Sequence, residues 1–177
     1  MLLSMLLGAP GACGPGGEQG SPRDPASAIT AGDAEWTLVT PPIEDVRTAA
    51  LRFLVNVEGL LGVVDLVQAS WGVDLGDERL LENLGLDPGL PLVALGVEEG
   101  TCLVLGIRDG APLRALLRSV AGTSGYRLED RVADDALLTR AYDEDRCVAA
   151  LLVDDGLAFV SFSGSGSADA GLARVAL

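Results

Sequence analysis

The chain has 177 residues, with 12 basic and 26 acidic side chains and no histidine, for a formal net charge of −14. All 12 bases are arginine, so the chain holds no Ser-His-Asp or Cys-His centre, no Schiff-base lysine and no Walker A loop. The acid excess argues against a nucleic-acid partner, because that affinity comes mainly from neutralising phosphates. Lys, Ile, Asn, Tyr and Phe are scarce while Gly, Ala, Leu, Val, Arg and Asp abound, the residue set of GC-rich codons. At 49% hydrophobic but 4% aromatic, the core must be aliphatic, and the length suits one domain plus a tail.

Met1 to Leu7 are apolar and lead into Gly8-Ala9-Pro10-Gly11-Ala12-Cys13. Small residues before a cysteine resemble a bacterial lipobox, which is cleaved so that the cysteine, here Cys13, becomes lipidated. Two features depart from that pattern: no basic residue precedes Arg23, and Pro10 stands where a lipobox usually has Leu. Residues 1–12 therefore read as signal-peptide-like. Residues 13–35 read as a disordered Gly/Pro/Ser-rich tether, and residues 36–177 as a single α+β domain. The alternative is a disordered cytosolic tail. The longest apolar region, 43–67, is interrupted by Glu44, Asp45, Arg47, Arg52, Glu58 and Asp65, too many charges for a membrane span.

Residues 36–39 predict a short strand. Thr40-Pro41-Pro42 then opens a helix. Val46, Ala50, Phe53, Leu54, Val57, Leu61 and Val64 at helical spacing predict an amphipathic helix over 43–69, with Gly59 and Gly62 as breaking points. Its apolar face would pack on a sheet or bind a lipid or partner. A short helix at 78–84 follows Asp77 and closes at Gly85, with Pro88 blocking continuation. Residues 91–97 and 101–107 predict a hairpin across Glu98-Glu99-Gly100. Taken as a three-residue loop, it places Leu95 opposite Leu103, and Val93 and Val97 on the face of Leu103 and Leu105. Asp109 to Pro112 start a helix with an apolar stripe of Leu113, Leu116, Leu117 and Val120.

Two weaker strands, 126–132 and 136–142, meet at Asp134-Asp135, and Asp143-Glu144-Asp145 makes the next turn. Residues 147–153 and 157–162 predict a second strong hairpin across Asp154-Asp155-Gly156. Overlaid at an offset of 56, the two strong hairpins are each followed by a helix, which suggests a repeated hairpin–helix unit. The final helix, 168–177, has neither cap nor C′ glycine, and reads as a chain truncated within a longer protein. The fold class expected is α+β: an antiparallel sheet of five or six strands with helices on one face.

The run GVDLGDERLLENLGLDPGLPLVALGVEEGTCLVLGIRDGAPLRALL resembles secreted or lipid-anchored proteins of uncharacterised function from GC-rich proteobacteria, including myxobacteria. The shared features are a GLDP…P turn at Gly85-Leu86-Asp87-Pro88 and Pro91, a hairpin, and an RD…L helix start at Arg108-Asp109. The resemblance covers about residues 72–120. It implies a cell-envelope location and no catalytic residues.

The acidic pairs Glu98-Glu99, Asp134-Asp135, Asp143 to Asp145 and Asp154-Asp155 read first as solvated turns. A shared calcium site would need their oxygens within about 2.6 Å of one ion. Ser161, Ser163, Ser165 and Ser167 read as a linker and helix cap, without the G-x-S-x-G of a nucleophile elbow. Cys102 and Cys147 read either as a disulfide, in an oxidising envelope, or as two separate small core residues.

The function expected is a bacterial cell-envelope lipoprotein domain, periplasmic or outer-membrane, with a non-catalytic binding or structural role. Its membrane partner is reached through the lipid anchor, and it needs no cofactor or metal. The alternative is a metal-dependent (calcium-type) or hydrolase-like enzyme using acidic turn residues.

Overall fold

A computed structural model describes residues 21–28, 34–56, 61–133 and 136–175. In chain order the elements are α1 (Pro25–Ala28), β1 (Trp36–Pro42), α2 (Ile43–Asn56), α3 (Leu61–Trp71), α4 (Leu80–Asn83), β2 (Pro91–Val97) and β3 (Gly100–Gly106). They continue with α5 (Ala111–Ser124), β4 (Arg127–Ala133), β5 (Ala136–Asp143), β6 (Arg146–Asp154), β7 (Leu157–Phe162) and α6 (Ala168–Val175). The strands form one sheet of seven in the order β1-β2-β3-β7-β6-β5-β4, every neighbouring pair antiparallel. The α+β class holds, with seven strands where five or six were expected.

The β2–β3 hairpin corrects the expected register. Val97 pairs with Gly100, so the loop is the two residues Glu98 and Glu99, and Leu95 faces Cys102 rather than Leu103. A slip of one residue turns every side chain to the other face. Val93, Leu95 and Val97 accordingly share a face with Cys102 and Val104, while Leu103 and Leu105 point the opposite way. The β6–β7 hairpin also has a two-residue loop. Asp154 pairs with Leu157, with Asp155 and Gly156 both at positive φ, as the tight loop between twisted strands requires.

The two hairpins are therefore in phase at an offset of 57 (97 to 154 and 100 to 157), and α5 and α6 begin at the matching residues 111 and 168. Leu103 pairs with Val160, its own counterpart. The β3–β7 contact is thus the centre of a local twofold that carries β1-β2-β3 onto β5-β6-β7.

The helices break that symmetry, and they cover both faces rather than one. Leu113 and Leu117 of α5 pack over Leu105, Leu151 and Val153, and Ala121 packs on Ala141 and Ala149. Ala168 and Leu172 of α6 pack on the opposite face, over Val93, Leu95, Cys102, Val104, Ala150 and Phe159. The central strands are apolar on both sides because both sides are covered.

The helix expected over 43–69 is two helices, α2 and α3, with residues 57–60 outside the described set. The tether expected over 13–35 is partly folded. Pro25 is fully buried, α1 packs on β2 and β3, and Arg23 pairs with Asp155 at 3.0 Å. Residues 1–20, which hold the signal-like segment and Cys13, lie outside the described residues, as do Asp134-Asp135.

The two halves of the GLDP and RD pattern meet in space. The Gly85 carbonyl accepts from the N–H groups of Arg108 (2.8 Å) and Asp109 (3.2 Å), and Arg108 pairs with Asp87 at 3.1 Å. Gly85 has φ 75°, and a Cβ there would lie 1.9 Å from the Asp109 carbonyl oxygen. Only glycine fits. The Asp109 carboxylate in turn accepts from the Ala111 N–H at 2.9 Å and starts α5. This pattern is a junction that sets the origin of α5.

Candidate functional site

α5 carries its apolar side chains at i, i+3, i+4 and i+7, a stripe that must face the sheet. Near its end Ala121 is fully buried against Ala141 and Ala149, three small residues that let helix and sheet approach closely. The first turns carry leucines, which hold the backbone further off. Beside them an apolar groove of about 170 Å³ opens between Leu113, Leu116, Leu117 and Val120 on the helix and Leu151, Val160 and Phe162 on the sheet. Leu151 and Val160 are cross-strand partners. Phe162, at the end of β7, is 46% exposed and forms part of the rim.

The other flank of α5 is fastened by a polar chain. Arg118 pairs with Asp130 on β4, and the Asp130 carboxylate accepts from Thr139 Oγ1 on β5 at 2.6 Å. Burial alone would raise the pKa of Asp130. The hydrogen bonds from Thr139 and Arg118 and the nearby arginine charges outweigh it and hold the carboxyl below its ordinary value. Burial lowers the pKa of Arg114, as does neighbouring Arg118, against the pull of Asp130. The helix is thus held on its β4–β5 side and leaves the groove on its β7 side.

The expected chemistry is dispersed. Cys102 and Cys147 are free and buried. They sit on β3 and β6 with β7 between, and Cys102 is level with Ala150 rather than Cys147, so their separation exceeds the two strand spacings, about 10 Å, between those strands. A disulfide needs Cα atoms within about 7 Å, so the proposed bridge does not form and both cysteines are core residues. Burial pushes the Cys102 thiol up to about 12. Burial first, then the Asp169 charge, also raises Cys147.

Turn 98–99 and turn 144–145 lie at the same end of the sheet but about 14 Å apart, three strand spacings. Turn 155–156 lies at the opposite end. Asp143 pairs with Arg146, and Asp155 with Arg23. Among the described residues no three of His, Cys, Asp and Glu gather closely enough to hold a metal ion.

The serines build the entry to α6. Ser163 Oγ lies 2.8 Å from Ser165 Oγ and accepts from the Ser167 N–H at 3.2 Å. Ser161 is buried under α6, where Gly171 replaces a side chain whose Cβ would lie 3.1 Å from Ser161 Oγ. Arg140 reaches Asp169 at the start of α6, at 3.7 Å, and the Arg127 guanidinium stacks 4.6 Å over the Tyr142 ring. Burial is the main reason that the Tyr142 phenol is raised. These groups fasten α6 and the β4–β5 edge.

The groove was not anticipated from the sequence, although its helical wall was. The stripe Leu113, Leu116, Leu117 and Val120 was legible as a packing face. That the sheet beneath it would be only partly covered was not. No protein-family model, curated protein or solved structure matches this chain. Among the described residues no helix is long and apolar enough to cross a membrane.

Proposed function

We propose that this chain is a cell-envelope lipoprotein, anchored through Cys13, whose folded part is a non-catalytic binding module for an apolar ligand held between α5 and the sheet. The observation that carries the binding reading is the groove itself: all seven lining side chains are apolar, and it offers no acid, base or nucleophile to a reacting atom. A site of that lining selects by shape and hydrophobic contact. Support for the envelope reading is the small-residue run before Cys13 and the likeness of residues 72–120 to secreted and lipid-anchored proteins. Metabolic labelling with radioactive palmitate tests the anchor. Label and membrane retention are expected in the full chain and lost in Cys13→Ala. A chain that stays in the soluble fraction without label contradicts it.

A further inference from the structure

The local twofold places β1 and β5 in equivalent positions. The outer edge of β5 is paired along its length by β4, whereas among the described residues β1 has no strand on its outer edge. We propose that β1 pairs antiparallel with β1 of a second copy of this chain, about a twofold at Leu38, joining two seven-stranded sheets into one.

The composition of the two edges differs in the way this requires. β4 carries Arg127, Glu129, Asp130 and Arg131, the kind of charged edge that blocks strand addition. β1 reads Trp-Thr-Leu-Val-Thr-Pro-Pro and carries no charge. Two copies of a chain with net charge −14 repel over most of their surfaces. A neutral edge is where two such copies meet with least opposition.

The backbone register is also self-complementary. The Gly96 carbonyl accepts from Glu35 N–H at 2.9 Å, and the Leu92 N–H donates to Thr40 Oγ1 at 3.0 Å, so the even-numbered residues of β2 face β1. Their partners Trp36 and Leu38 turn their own backbone groups inward, and alternation leaves those of Thr37 and Val39 facing out. Pairing about Leu38 sets Thr37 opposite the other copy's Val39, so that each outward N–H meets an outward carbonyl. The two Leu38 residues meet at a non-hydrogen-bonded position, where side chains come closest. Pro41 and Pro42 lack an N–H and end the pairing. Trp36, Leu38 and Val39 are 48%, 56% and 51% exposed, and cross-strand neighbours would cover them on both faces.

Sedimentation equilibrium of the full chain carrying Cys13→Ser, over about a hundredfold range of concentration, tests this. The expected result is a monomer–dimer equilibrium that shifts towards dimer as salt screens the acidic surfaces. Val39→Pro removes an outward N–H without touching the β1–β2 ladder, and Leu38→Glu sets two carboxylates face to face across the twofold. Both are expected to sediment as monomers, with melting temperatures equal to that of the dilute parent. A parent that stays monomeric at every concentration and salt leaves the edge to a strand of another protein and overturns the proposal. So does a dimer that persists in both variants.

Discussion

α5 and α6 follow equivalent hairpins and start at equivalent residues, yet they cover opposite faces of the sheet and fit them differently. α6 brings Ala168, Gly171 and Leu172 to the sheet, all buried, and Gly171 lets its backbone settle over Ser161. α5 brings Leu113, Leu116, Leu117 and Val120, none of which is fully buried, and closes on the sheet only at Ala121. Small residues make a flush contact, and a leucine stripe beside the end of a strand leaves a groove. The difference separates a structural face from a binding face.

Large-to-small substitutions should separate the two faces most clearly. Leu95, 1% exposed beneath α6, should cost about 2–5 kcal/mol when changed to Ala, because it leaves a cavity that the flush contact cannot fill. Phe162→Ala on the groove rim should cost less than about 1 kcal/mol, as expected away from a closed core. Urea unfolding of both variants measures the difference; equal losses would mean that the α5 face is packed as tightly as the other.

A smaller effect should come from the fastening of α5. The folded-state pKa of Asp130 is lowered, so its carboxylate stabilises the fold above the unfolded value, and that contribution is lost as pH falls through the folded value. Between pH 7 and pH values below about 4, the parent should therefore lose more stability than Asp130→Asn, whose amide does not titrate. Urea midpoints across that range check it, and parallel curves would remove the Arg118–Asp130–Thr139 chain as a fastening.

Much of this architecture was legible in the sequence. The two strong hairpins, the helix after Asp109 and the stop at Gly85 all follow from local turn and capping chemistry, which acts over a few residues. The errors lie where distant parts decide. Reading Glu98-Glu99-Gly100 as a three-residue loop instead of two put Leu95 and Leu103 on one face where the structure has them on opposite faces, and shifted the repeat from 57 to 56. Helices on both faces were hidden because α5 runs from β3 to β4 at the far edge, a placement set by long-range pairing. The folding of residues 21–28 rests on one buried proline, one ion pair and the Arg23 N–H bond to the Gly156 carbonyl, within a Gly/Pro/Ser-rich stretch. The Cys102–Cys147 bridge depended on strand order, which the spacing of the two cysteines does not encode. Of the groove, the helical wall was readable, but the uncovered sheet beside it exists only in three dimensions.

If the folded part is a binding module, the α5 groove holds an apolar ligand. Titrating the full chain with the fluorescent fatty acid cis-parinaric acid, beside Leu116→Asp, tests it most directly. Leu116 lines the groove from the helix side and is only partly buried, so the substitution changes the lining while leaving the sheet intact. A saturable rise in fluorescence is expected for the parent and at least about a tenfold weaker response for the variant, the factor that a loss of about 1.4 kcal/mol of contact brings. No saturable response, or equal binding by the variant, would contradict it.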